Sequence, residues 1–472
     1  MGKNMLRLLS LFTLGFLALF FMTAYWQVIR SPELAVHPRN PRLLAREREF
    51  ARGGIYDRFG ESLADSRPFE GGFKRVYQGG VSLVQTVGYS HPRFGQSGLE
   101  LAFNGELAGL KPEDQIFQWF EGLRGGPKEG NSLITTIDLK LQRTAELALG
   151  PRPGAVVALD PATGEILVAA SRPGFDPNRL DDNWDELRSH QDSPLLNRVT
   201  QGLYPPGSAF KVFTLAAALE TGAVRWEQTF EDRGSLTIGD YVLGNPGRKA
   251  YGSLGLPDAL AVSSNVVFGQ IGLALGWDGF HQMARGWWLD RAMPLEVGTK
   301  GGHVPEPRVK AQGELAQLAI GQGELLVTPL HMAMLAATIA NGGVTMRPYL
   351  VTEVRRPNGT VKHRTQPQVL ARPLQAAHAS QVAQAMKAVV QKGTGRGAAL
   401  PGITVAGKTG TAQNPHGEAH SWFIAFAPLT APRIAVAVVV EQGGTGGVVA
   451  APIARAVLGE ALGLHDNLSQ GT

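Results

Sequence analysis

The first pattern along the chain is an apolar run from Leu8 to Ile29, interrupted by polar side chains only at Ser10, Thr13, Thr23 and Gln27. A helix of about 20 such residues matches the ~30 Å hydrocarbon core of a bilayer, so residues 1–30 read as one transmembrane anchor. Tyr25 and Trp26 fall where aromatic side chains favour the membrane–water boundary. The small-x-small cleavage pattern is poor around Met22 to Ala24, which favours a retained anchor over a removed signal peptide. Next, Arg52 to Ala64 reads as strand, turn, strand, and Pro, Gly and charged residues then break the chain often up to Lys128. Residues 31–130 are therefore expected to form a small pedestal domain. At Asn131 the character changes: ITTID alternates as a strand, and Leu139 to Leu149 has the period of an amphipathic helix.

From there to residue 472 the pattern describes one larger domain. Gly154 to Ala170 reads as two strands around a turn at Asp160, Pro161 and Gly164. Ile403 to Gln413, Trp422 to Ala427 and Arg433 to Val440 read as strands, and Val449 to Leu462 as a helix. Ala- and Leu-rich helical segments lie between, among them Ala209 to Glu220, Pro257 to Leu275 and Thr328 to Ala340. The expected fold is α/β of the α+β type, an antiparallel sheet packed by helices with an inserted all-helical subdomain.

Composition narrows the chemistry. The 472 residues are 43% hydrophobic, as in a folded protein. The net charge of +5 is spread rather than clustered, which argues against nucleic acid and suits an anionic surface such as membrane or cell wall. Without cysteine there is no thiol nucleophile, disulfide or Cys-bound metal.

Three short motifs could supply a nucleophile. Pro205, Pro206 and Gly207 lead into Ser208-Ala209-Phe210-Lys211, where a spacing of three puts Ser208 and Lys211 on one helical face. A serine hydroxyl needs a base, and Lys211 can be one only if burial and a second cation lower its pKa. Ser263-Ser264-Asn265 sits in an apolar helical region, so its polar groups require partners. Lys408-Thr409-Gly410-Thr411 lies on an expected strand and offers a cation, two hydroxyls and a close backbone approach to a carboxylate. Alone, the Ser208 and Lys408 motifs fit an ordinary helix start and edge strand better, and the Ser263 motif fits a polar patch as well as a site. Gly402 to Thr409 also satisfies the phosphate-loop pattern GxxxxGK[ST]. That motif must feed a helix, whereas Ile403 to Ala406 is strand-like and Gly410, Asn414, Pro415 and Gly417 oppose a helix.

The order SxxK, SxN, KTG resembles the penicillin-recognising serine transferases. RGGIYDRFGESLA from Arg52, GQSGLELAFNGELAG from Gly95, LITTIDLKLQ from Leu133, AIGQGELLVTPLHMA from Ala319, QKGTGRGAA from Gln391 and HSWFIAFAP from His420 extend the likeness to class B penicillin-binding proteins with a short pedestal. The resemblance implies a membrane-bound D,D-transpeptidase acting on stem peptides that end in D-Ala-D-Ala and acylated by β-lactams. It implies Ser208 as nucleophile, Lys211 as base, Ser263 as proton shuttle and Asn265 as an anchor. Lys408, Thr409, Gly410 and Thr411 would receive the carboxylate, with no metal or organic cofactor. It further implies a polymerase partner of the SEDS type and a catalytic domain outside the bacterial cytoplasmic membrane. Charge counting alone, with Lys3 and Arg7 before the span against Arg30, Arg39 and Arg42 after it, favours the opposite orientation. A D,D-carboxypeptidase, a β-lactamase and a non-catalytic scaffold are the competing readings. The class A type of glutamate motif is not found after Ser263, which disfavours the β-lactamase.

Overall fold

A computed structural model describes residues 2–30, 50–69, 72–123, 129–306, 311–414 and 417–464. Arg39 and Arg42 lie outside the described residues. Gly2–Ala24 is α-helical and runs on to Ile29 as a π-helix. Asn4–Gln27 has a mean hydropathy of 2.1 and no buried part, and is long and apolar enough to cross a membrane.

The larger domain is built on a five-stranded antiparallel sheet in the order Ala406–Ala412, His420–Ala427, Ile434–Val440, Gly154–Leu159, Ile166–Arg172. The Ile434–Val440 strand, IAVAVVV, is buried along its whole length because both faces are covered. Ala435, Ala437 and Val439 join a core with helix Pro329–Ala340, while Val436, Val438 and Val440 join a second core with helices Leu139–Leu149 and Ala450–Ala461. The period of two in the side chains thus separates two cores with one strand between them. The sheet, its flanking helices and the terminal helix follow the sequence expectation.

Two expectations need correction. The insertion is not all-helical: Ser235–Ile238 pairs with Tyr241–Gly244, and Thr229–Asp232 with Gly252–Gly255, as short antiparallel ribbons. Glycines at 234, 239, 247 and 252 take positive φ there, which a continuous helix does not allow. The stretch Pro257 to Leu275 is likewise two helices, Leu256–Ala261 and Asn265–Gly286. The break falls at Ser263, for reasons given below.

A second sheet of six strands takes the order Val361–Arg364, Val351–Arg355, Ser132–Thr135, Ile55–Tyr56, Ser62–Phe69, Gly72–Tyr77, so strands on both sides of residue 130 pair within it. Its N-terminal part is fastened by a buried charge cluster. Arg52 and Arg75 both donate to the Glu100 carboxylate, whose side chain has no exposure. The cost of burial is outweighed by the two guanidinium groups, which hold Glu100 below the ordinary carboxylate range. Glu100→Ala would leave two buried arginines without their shared counter-charge. We expect it to lower stability by about 3 kcal/mol, measured as denaturant or thermal unfolding.

Candidate active site

The Lys408 strand lies at one edge of the five-stranded sheet, and the first turn of the Ser208 segment lies across it. That segment is a 3-10 turn, Gly207–Phe210, which becomes the α-helix Lys211–Glu220. Two glycines permit the crossing. A Cβ at Gly410 would come within 2.8 Å of the Pro206 carbonyl and of Trp422 Cβ. Gly207 has φ +54, and a Cβ there would meet the Thr411 carbonyl at 2.7 Å. From the neighbouring strand the Trp422 indole donates to the Pro205 carbonyl at 3.0 Å, fixing the Pro-Pro approach. The glycine at 207 also donates its N–H to Gly321 at 2.8 Å, in the AIGQGE segment.

The Ser263 motif comes from a helix-to-helix junction. The N–H of Ser264 bonds back to Ala259 and that of Ser263 to Leu260, which is a Schellman ending for the first helix. Its left-handed position, usually glycine, is Ser263, with φ +60. Ser264 then caps the second helix, accepting the Val267 N–H at 3.0 Å. Ending one helix and starting the next within two residues turns Ser263 and the first side chain of the new helix, Asn265, toward Lys211.

Lys211 and Lys408 are both fully buried. Lys211 Nζ lies 2.7 Å from the Ser263 carbonyl, 2.8 Å from Asn265 Oδ1 and 3.3 Å from Ser263 Oγ. Lys408 Nζ donates to Ser263 Oγ at 2.9 Å and to the Thr409 carbonyl at 3.0 Å. Burial pulls Lys408 down to about 7. Lys211 is held well below the ordinary lysine range, first by burial and second by the charge of Lys408, with Asp232 acting in the opposite sense. The second cation expected from the sequence is thus in place.

Above the two amines opens a cleft of about 600 Å³ lined by Ser208, Ser263, Asn265, Thr409 and Thr411 among others. The three motifs, separated by tens to hundreds of residues, meet at this one cavity. Lys211, Lys408 and Gly410 lie beneath its surface. One sequence expectation is modified: the hydrogen bonds of Lys211 go to the Ser263 motif rather than to Ser208, its neighbour in the chain. Sequence reasoning also missed Thr394, whose hydroxyl meets that of Thr409 at 2.6 Å, and the supporting Trp422 and Gly321. Thr394 stands in QKGTGRG, noted as a likeness but with no chemical role attached. The phosphate-loop match is resolved by the strand Ala406–Ala412, which places Lys408 mid-strand and not at a helix start.

Comparison with known proteins agrees with this geometry. Residues 154–459 match the penicillin binding protein transpeptidase domain, and residues 52–133 the penicillin binding protein A dimerisation domain. The peptidoglycan D,D-transpeptidase PbpA of Mycolicibacterium smegmatis is 37% identical, over 92% of this chain and 94% of that protein. The peptidoglycan D,D-transpeptidase MrdA of Acinetobacter baumannii is 33% identical over 69% of this chain and 53% of its own. Penicillin-binding protein A from Mycobacterium tuberculosis, solved as its ceftriaxone acyl-enzyme, superposes with a TM-score of 0.84 at 34% identity, covering 89% of this chain and all of that one. On a matching catalytic domain, a matching N-terminal domain and relatives alike over nearly its full length, the chain belongs to the penicillin-binding protein transpeptidase family.

Proposed function

We infer that this chain is a peptidoglycan D,D-transpeptidase that works through an acyl-enzyme on Ser208. The observation carrying the reading is the pair of buried lysines that share the Ser263 hydroxyl beneath a cleft lined by Ser208. Two ammonium groups this close and this far from water do not both keep their protons. We take Lys211 as the neutral one, because both burial and the charge of Lys408 lower its pKa, and the hydrogen bonds are compatible with that assignment. An uncharged Lys211 has two N–H groups for its two acceptor-only partners, the Ser263 carbonyl and Asn265 Oδ1, and one lone pair left over. A charged Lys408 uses its three protons on Ser263 Oγ, the Thr409 carbonyl and Thr409 Oγ1.

In the proposed reaction Ser208 Oγ bonds to the carbonyl carbon of the penultimate D-Ala while its proton passes to Lys211. The backbone N–H groups of Ser208 and Thr411 receive the developing oxyanion. Collapse breaks the peptide bond, and the departing D-Ala nitrogen takes a proton through Ser263. The amine of a second stem peptide then attacks the ester and gives up its proton to Lys211, which returns it to the departing Ser208 Oγ, releasing the free serine and the cross-linked product. Thr409 and Thr411 bind the terminal carboxylate, the charge of Lys408 beneath them attracts it, and Gly410 lets the strand lie close beneath it. No metal or organic cofactor takes part. β-Lactams acylate the same serine as substrate mimics.

By the same reading residues 1–30 anchor the chain in the bacterial cytoplasmic membrane, 31–130 form the pedestal and 131–472 the catalytic domain on the outer face. The anchor and pedestal would pair with a SEDS-type glycan polymerase. Amine rather than water as the acceptor separates this reading from a D,D-carboxypeptidase.

Two outcomes test it. A fluorescent penicillin should label the parent protein covalently, and Ser208→Ala should abolish labelling; equal labelling of the two would refute the assignment. The second-order acylation rate should be bell-shaped in pH. Its acid limb reports Lys211, lost as a base when protonated. Its basic limb should fall near pH 7, where Lys408 loses the charge that holds the carboxylate. A saturating substrate carboxylate favours charged Lys408 and should move the basic limb upward in the first-order constant.

A further inference from the structure

The turn that presents Ser263 and Asn265 is held from behind by a polar cluster that the reaction above does not use. Asp232, 1% exposed, closes the strand Thr229–Asp232. Its Oδ1 accepts from the Gly234 N–H and from Asn245 Nδ2, both at 2.8 Å. Its Oδ2 accepts from Asn245 Nδ2 at 2.9 Å and from the Ser264 hydroxyl at 2.5 Å. Asn245, 4% exposed, passes the restraint on: its Oδ1 accepts the N–H groups of Asn265 at 2.8 Å and Val266 at 3.3 Å. With the Ser264 cap on Val267, the first three N–H groups of the helix at Asn265 all have side-chain acceptors from this cluster. Next to Asn245, the Gly244 carbonyl takes the Asn265 Nδ2 donor at 2.8 Å, which leaves Asn265 Oδ1 facing Lys211.

We propose that Asp232, acting through Asn245 and Ser264, is the positioning residue that fixes the Ser263–Asn265 turn and thereby the orientation of Lys211. The proposal rests on the acyl-enzyme reading of Ser208. Such a restraint is needed because a serine in the left-handed region persists only where its surroundings impose it. A carboxylate suits the position because every group aimed at its two oxygens is a donor. An amide at 232 would turn a donor toward at least one of them. Asp232 also bears on the proton affinity of Lys211. The amine is faced by Lys408 from the sheet edge, by Ser263 from the junction, and by Asn265 and the Phe268 ring from the following helix. Among the charged groups acting on it, Lys408 opposes the protonated form and Asp232 favours it.

The test compares Asp232→Asn and Asp232→Ala with the parent in time courses of fluorescent-penicillin acylation, resolved into the non-covalent Kd and the first-order acylation constant, with Ser208→Ala as control. The acylation constant should fall about 100-fold in Asp232→Ala, the scale expected when a reacting group is misplaced by about 1 Å, and by less in Asp232→Asn, while Kd changes by less than about threefold. The acid limb of the acylation profile should move to lower pH in both variants, because losing the carboxylate lowers the proton affinity of Lys211. A role confined to folding would change the melting temperature and the fraction of active protein but leave that limb in place. Parental acylation constants with an unmoved limb would overturn the proposal, as would a loss that merely tracks the folded fraction. If Asp232→Ala does not fold, Asp232→Asn decides by the same two readouts. Labelling of Ser208→Ala would instead overturn the acyl-enzyme reading itself.

Discussion

Two lysine amines brought out of water onto one serine hydroxyl set the terms for everything around them. An ammonium in the interior carries a desolvation cost of several kcal/mol even after relaxation, and a second one beside it is worse. The site meets this with acceptors around both amines: the Ser263 and Thr409 carbonyls, Asn265 Oδ1 and the two hydroxyls. Those acceptors come from a sheet edge and a helix junction. They can be delivered only if the Ser208 segment presses onto the sheet, which is why glycine stands at 207 and 410. The two apolar cores on either side of the sheet hold that edge still.

Much of this was legible in the sequence. The central strands read as strands, the helix Leu139–Leu149 as an amphipathic period and the terminal helix as a helical stretch, because burial on known faces writes directly into residue type. The three motifs were legible as candidates, since a serine, a lysine and an asparagine in apolar surroundings must have partners. What the sequence hid were relations between segments. That Lys211 bonds to Ser263 and Asn265, and not to the serine three residues before it, depends on a junction that reads as one helix when only hydrophobicity is followed. Ser264 as a helix cap was visible in principle, but a small-residue helix around it masked the break. Asp232 and Asn245 stand 32 and 20 residues from the groups they hold, in short ribbons inside a segment expected from the sequence to be helical.

The N-terminal part follows a different logic. Its strands Ile55–Tyr56 and Ser62–Phe69 join a sheet with Ser132–Thr135 and Val351–Arg355, and Lys362 beyond them reaches Glu106 and Asp114 at 2.8 Å. Backbone pairing and the largely buried contacts of Lys362 therefore connect the N-terminal residues with segments far along the chain.

Ser263 holds an opposed pair of demands. Its backbone, at φ +60, is one that glycine adopts freely and serine only with strain, yet both lysines hydrogen-bond to its hydroxyl. Mutational drift toward greater stability therefore meets a barrier here. The residue that would relax the chain removes the bridge, and among larger aliphatic side chains only threonine would keep a hydroxyl, at the cost of a β-branch in the same strained backbone. Gains in thermal robustness must then come from outside this junction, from the cores and ribbons around it.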